Sequence, residues 1–339
     1  MNICANCFAD QELKAFISSF ANKGDCPTCN VKAAPVIDVS ELLDFFQELV
    51  DNFEVVRNGE SLKNKIQGNW SFFINHQVAE KILNHLIPKL KTAIGNANSP
   101  VDYIQEIKDN HRYWETLKEE LKWSNRFLSN LGQLLELGWD GFFNTQYQLT
   151  PSTELFRARV HHQSGNPALS KTEMFCPPPH IASGGRANPM GIPYLYLCDN
   201  PETVPYEVRA SYLDEVSIGA FRLKKVHEHV TIVDFTEDTP LFQPELVKET
   251  IMAKLLRDKI SQDLSKPMRR YDSEIEYIPT QFICEFIRTY TGASGIRFSS
   301  SLHPKGKNIV IFDQYLMECF DVVLHQVTTI NLESSELKP

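Results

Sequence analysis

"GGRANPMGIPYLYLCDNPETVPYEVR", residues 184–209, runs from a glycine-rich turn into a short apolar strand, "PYLYL", and then into a segment that reads as the start of a helix. Working outward, further β-type runs appear at "LFRARV" (155–160), "SIGAFRL" (217–223), "VTIVDF" (230–235), "IVIFDQY" (309–315) and "VVLHQV" (322–327). Helical patterns stand between them at "TVPYEVRASYL" (203–213), "PELVKETIMAKLLRDKIS" (244–261) and "TQFICEFIRTYTG" (280–292). Short strands mixed with helices in no fixed alternation predict an α+β domain over residues 151–339.

The chain opens differently. Cys4, Cys7, Cys26 and Cys29 form C-x2-C-x18-C-x2-C. Two residues between paired thiolates let a tight turn aim both sulfurs at one ion, and four sulfurs complete the closed tetrahedral shell of a structural zinc site. A unit of residues 1–34 has little core of its own and gains folding energy from the metal. The alternative is two chance pairs of buried or redox-active cysteines. Leu13, Phe16 and Phe20 near helical spacing place a short helix between the pairs. The other cysteines, Cys176, Cys198, Cys284 and Cys319, are scattered and read as packing residues.

Residues 35–150 read as a helical domain. "VSELLDFFQELVDNF" puts Leu42, Phe45, Phe46, Leu49 and Phe53 on one face, and helical patterns recur at "QVAEKILNHLIPKLKTAI" and "HRYWETLKEELKWSNRFLSNLGQLLEL". Trp70, Trp114, Trp123 and Trp139 all lie here, on a face that reads as core and, secondarily, as a surface for docking a neighbour.

Composition narrows the function. The net charge of -9 divides into balance over 1–34, about -5 over 35–150 and about -4 over 151–339, so bulk nucleic-acid binding is disfavoured. The start, MNICANCF, has no basic stretch leading into an apolar run, and no long apolar run follows, which predicts a cytoplasmic chain without a membrane span. Phosphate-loop, nucleophile-elbow and HExxH signatures are missing. "HEH" at 227–229 offers two imidazoles, too few for a first-row metal, and reads as an exposed strand edge.

The opening stretch carries the chemistry. Glycines before Arg186 let the backbone approach a ligand closely, and a guanidinium offers a planar fork suited to a pyrophosphate. Tyr196 ends an apolar strand, where its ring can stack on a flat base such as nicotinamide. Glu207 sits on an apolar segment facing the sheet, where a carboxylate needs a reason. Singly, these are an ordinary loop arginine, core tyrosine and capping glutamate; their value lies in combination.

In combination, "GGRANPMGIPYLYLCDNPETVPYEVR" resembles the RES domain, named for its Arg, Glu and Ser and found in toxins of bacterial toxin-antitoxin pairs. "LFRARV" looks like its first strand, "YIPTQFICEFIR" like its later helix and "GIRFSSSLHPKGKNIVIFD" like its serine motif, over about residues 151–330. The N-terminal cysteine pairs followed by helices look like the zinc-bearing, HEPN-associated extension that precedes some RES domains. The family's glycine-arginine motif usually continues with a tryptophan before the asparagine, where this chain has Ala187.

The resemblance implies a fold similar to that of ADP-ribosyltransferases and a toxin that consumes NAD, as glycohydrolase or phosphorylase, or transfers ADP-ribose to a protein or nucleic acid. By motif position it implies catalytic roles for Arg186, Tyr196, Glu207 and Ser300, with the choice among Ser299, Ser300 and Ser301 open. Arg157 and Arg186 are expected on the pyrophosphate, Tyr196 on the nicotinamide, and Glu207 on the oxocarbenium-like centre. A serine nucleophile is disfavoured, because His303 stands on a Pro- and Gly-rich turn with no evident partner. A helix-turn-helix antitoxin is an expected partner, a homo-oligomer stays open, and the N-terminal regions are expected to sense a signal or hold the enzyme inactive. A noncatalytic binding module is the contrasting reading, and it has no need of all four residues.

Overall fold

A computed structural model describes residues 1–127, 129, 131–267, 274–303, 305–330 and 336. The chain forms two compact units, Met1–Thr116 with Asp238–Leu256, and Leu117–Glu237 with Arg257–Pro339.

In the first unit, β1 (Asn2–Cys4), α1 (Gln11–Ser18), β2 (Lys23–Gly24) and β3 (Ala34–Asp38) make a three-stranded sheet of order β1-β3-β2 beside one helix. The helix expected between the cysteine pairs is α1, whose N-terminus is capped by Asp10 accepting from the Leu13 N–H at 3.0 Å. The other oxygen of this buried carboxylate accepts from Leu241 and Phe242 N–H at 2.7 and 3.2 Å, tying the returning segment to the chain start.

Next come α2 (Leu43–Asp51), β4 (Phe53–Ser61), α3 (Leu62–Trp70), α4 (His76–Leu86), β5 (Pro100–Tyr103) and α5 (Gln105–Trp123). The apolar face of α2 buries Phe45, Phe46 and Leu49, as its spacing predicts. Phe53, expected on that face, instead begins β4 and stacks on Tyr103 at 5.0 Å. Asn52 stops the helix there, its side chain donating back to the Glu48 carbonyl at 2.7 Å. The antiparallel pair β4–β5 is thus an addition to the expected helices. Phe8, Phe45, Phe46, Phe72 and Phe73 meet ring to ring, so the cysteine-bearing segment and the helices share one core.

The second unit holds α6 (Leu131–Glu136), β6 (Gln146–Leu149), β7 (Leu155–Val160), β8 (Leu195–Cys198), α7 (Val204–Glu207), β9 (Glu215–Leu223), β10 (Val230–Asp234), α8 (Val247–Ser265), α9 (Ile278–Tyr290), β11 (Gly295–Ser299), β12 (Lys307–Ile311) and β13 (Met317–Gln326), with α8 starting in the first unit. The eight strands form one sheet, β13-β9-β7-β8-β12-β11-β10-β6, antiparallel except for β10–β11. The expected α+β class is therefore what the chain adopts. Leu155, Leu195, Leu197, Phe221, Ile309 and Ile311 build the core on this sheet. β6 lies in the stretch that read as helical and joins the sheet through β10.

Two features position the site. β7 pairs with β9 over Leu155–Val160 but with β8 only at Phe156–Cys198, so the sheet opens between β7 and β8. The helix expected over 203–213 is a single turn, because Arg209 and Leu213 adopt left-handed φ of 52° and 70°.

Candidate active site

A cavity of about 300 Å³ lies where the sheet opens. Arg157 of β7, Tyr196 and Cys198 of β8, Glu207 of α7, Asn308 of β12 and Arg186 of the glycine turn are among its walls. The structure thus brings together Arg157, Arg186, Tyr196 and Glu207 from four separate segments. Ser301 lines the cavity as well, while Ser300 stands behind Glu207.

Glu207 Oε1 accepts from Ser300 Oγ at 2.5 Å and from Asn308 Nδ2 at 3.0 Å. Of the three consecutive serines, Ser300 is the one bonded to the carboxylate, and Ser299 is exposed. Ser300 Oγ also accepts from the Leu302 and His303 N–H groups at 3.2 and 3.1 Å, so its proton and lone pairs are all engaged. Cys198 Sγ donates to Asn308 Oδ1 at 3.0 Å, which orients the amide so that its NH2 faces Glu207. Burial, then the negative charge of Glu207, pushes the Cys198 thiol up, keeping it protonated for that role.

His303 has partners that the sequence did not reveal. Its Nδ1 meets Thr203 Oγ1 at 2.9 Å and its ring stacks on Tyr206 at 5.1 Å. Both neighbours precede or lie on the Glu207 turn, so the serine loop is clamped to it. Gly306 makes this possible: a Cβ there would fall 2.2 Å from Thr203 Oγ1.

Tyr196 is half-buried, desolvation pushes its phenol up, and its hydroxyl is spent inside the protein. It donates to Asn188 Oδ1 at 2.8 Å and accepts from the Ala187 N–H at 2.9 Å, holding the glycine turn against β8. A Cβ at Gly185 would lie 2.7 Å from that hydroxyl, so the second glycine is needed for close approach. Arg186 donates through Nη1 to the Leu264 and Lys266 carbonyls, the latter at 2.6 Å, and burial lowers its pKa. Arg157 has a weaker hold, Nη1 to Cys176 Sγ at 3.9 Å.

In the first unit, the sulfurs of Cys4, Cys7, Cys26 and Cys29 all lie within 4.8 Å of one another, with Cys4–Cys29 at 3.4 Å and Cys7–Cys26 at 3.5 Å. Tetrahedral zinc with bonds of about 2.3 Å sets its sulfurs about 3.8 Å apart, so the donor set fits, and the cluster could hold a metal ion such as zinc. Burial raises the Cys4 thiol to about 12. At Cys26, burial is outweighed by N–H groups of Cys29 and Thr28, bringing it down to about 7. Among the described residues this is the one such cluster; the "HEH" segment lies in the turn between β9 and β10, with Glu228 and His229 exposed.

Asn308, Asn188, Thr203 and Cys198 escaped the sequence reading. Asn188 and Asn308 alone had a signal, the first as the asparagine of the glycine-arginine stretch and the second as a polar residue in the serine motif directly before its apolar run. No helix among the described residues is long and apolar enough to cross a membrane. The family model of the RES domain matches residues 154–333, more than half of the chain. No curated protein and no solved structure matches the chain.

Proposed function

The chain belongs to the RES-domain family, and we propose that this member cleaves the nicotinamide–ribose bond of NAD and passes ADP-ribose to water or inorganic phosphate. The RES domain is associated with NAD-utilising toxins, so an enzyme acting on NAD is what membership implies. The observation that carries the finer reading is the carboxylate of Glu207, held at Oε1 by Ser300 and Asn308 on the wall of a cavity that two arginines share.

When the bond breaks, nicotinamide leaves with the electron pair and the ribose carbon takes on oxocarbenium character. A fixed carboxylate stabilises that positive charge without reorganising, an effect worth about 2.7–4 kcal/mol for one preorganised group. Both bonds fall on Oε1, which leaves Oε2 for a ribose hydroxyl. Arg157 and Arg186 supply positive charge for the pyrophosphate, and the Tyr196 ring forms apolar wall for the base. Zinc, where bound, would be held by Cys4, Cys7, Cys26 and Cys29 as a structural ion, with no open position for substrate. A helix-turn-helix antitoxin covering the cavity mouth is the partner that a toxin of this kind calls for.

The test is NAD consumption by the purified chain, with products separated, for wild type and Glu207→Gln. The expected result is loss of NAD by wild type and a fall of about 100-fold or more in the variant. Free ADP-ribose or its phosphate ester identifies the acceptor, and ADP-ribose attached to a macromolecule points to transfer instead. Equal turnover by the two proteins would remove Glu207 from the reaction.

A further inference from the structure

A second cleft, of about 760 Å³, opens beside the cavity and shares Arg157, Ala158 and Val208 with it. Its floor is the unbroken run Arg157–His161, continuing into His162 and the loop to Leu169. The sheet explains its place. From Arg157 to Val160, β7 has β9 on one side and has lost β8 on the other. Alternate residues of an antiparallel strand turn their N–H and C=O toward the same edge, so this open edge presents backbone donors and acceptors to whatever fills the cleft.

The side chains favour an anion. Arg157, Arg159, His161 and His162 all line the cleft, against one carboxylate, Glu173. That carboxylate is engaged by its own turn, accepting from Ser170 N–H and Oγ at 2.7 and 2.6 Å. Arg159 donates through Nη2 to the Phe175 carbonyl at 2.5 Å, and its Nε is buried without a partner. A half-buried guanidinium with an unused donor is poised for a counter-charge. His161 is held in place by Ser217 Oγ, 2.7 Å from its Nε2.

Size supplies the second half of the argument. Small-molecule sites span about 300–1,000 Å³, and the first cavity stands at the bottom of that range. It has room for the nicotinamide riboside end of a dinucleotide, and the remainder must leave past Arg157. Resting on the reading that NAD is the substrate, we propose that its adenylate half lies in the second cleft along the open edge of β7, with the pyrophosphate at Arg157 where the two spaces meet.

Calorimetric titration of the full chain with AMP, ADP-ribose and nicotinamide mononucleotide tests this. Two variants are compared with wild type: Arg159→Gln, and Ala168→Trp, which fills the cleft from its outer loop. AMP and ADP-ribose should bind wild type and weaken by about tenfold or more in both variants, while nicotinamide mononucleotide changes by less than about twofold. No AMP binding by wild type, or unaltered AMP affinity in both variants, overturns the assignment. The two readings fail separately. If NAD is consumed and both variants keep the wild-type KM, the cleft assignment is wrong and cleavage stands. If AMP binds as expected while the mononucleotide does not bind and NAD persists, cleavage is wrong and an adenylate cleft stands.

Discussion

Asn308→Asp isolates the contact that holds Glu207. The two side chains are nearly the same shape, and Cys198 keeps an acceptor oxygen, so the single change is that the group 3.0 Å from Glu207 Oε1 turns from donor to carboxylate. Two unit charges about 3 Å apart at an effective dielectric of about 20 repel by about 5 kcal/mol. Neutralising one carboxyl at pH 7 costs less, about 4 kcal/mol, from about 3 pH units at 1.36 kcal/mol each. The variant therefore takes up a proton on folding, and that proton restores a donor between the two oxygens. Its native state binds more protons than its unfolded state, so its stability falls as pH rises. The deficit against wild type is about 4 kcal/mol at pH 7 and shrinks by about 1.4 kcal/mol for each unit toward pH 5. In a unit of this size, thermal melting should show a drop of about 8–16 °C at pH 7 that narrows steadily on acidification. Asn308→Leu, which loses the donor without adding charge, should show a deficit that varies with pH much less than that of Asn308→Asp. A melting difference for Asn308→Asp that is absent, or equal at pH 5 and pH 7, would refute the argument.

Two further outcomes follow from the geometry. The purified chain should carry about one zinc per molecule, and Cys26→Ser should lose it with a fall in melting of the first unit, since structural zinc contributes about 10–16 kcal/mol of binding energy to folding; metal analysis that finds no zinc in a well-folded wild type would count against the site. Gly185→Ala forces a methyl to 2.7 Å from Tyr196 OH and should cost about 1–3 kcal/mol, read from the urea midpoint, whereas an unchanged midpoint would mean that the turn moves off Tyr196 freely.

Period and spacing made much of the fold legible. The runs at 155–160 and 217–223 fall wholly in strands, those at 193–197, 230–235 and 322–327 overlap β8, β10 and β13, and the run at 309–315 leaves β12 after Ile311, while α2, α4 and α9 follow their apolar stripes. Local pattern was silent where partners at long range decide. "QYQL" is too short and polar to announce itself, and becomes β6 only because β10 supplies a partner. "TVPYEVRASYL" has helical spacing, yet Arg209 turns left-handed and leaves one turn. Nothing near residues 238–256 signals that they return to the first unit, since the acceptor that receives them, Asp10, is more than two hundred residues away.

At the site, the sequence could name residue types but not how their hydrogen bonds are spent, and that spending sets their roles. Ser300 stands closest to a nucleophile by type, yet its proton goes to Glu207 and its oxygen takes two backbone N–H groups. A hydroxyl committed in this way positions a carboxylate, since both of its lone pairs are taken by backbone N–H groups. Ala187 contributes through its backbone N–H, which donates to the Tyr196 hydroxyl. The glycine turn is therefore held against β8 through the backbone at Ala187, whose own side chain is buried. Arg186 spends Nη1 on two carbonyls, while Arg157 makes only a long contact to a sulfur. Of the two arginines, Arg157 has more of its guanidinium left for a phosphate, and it stands on the strand edge where the sheet parts.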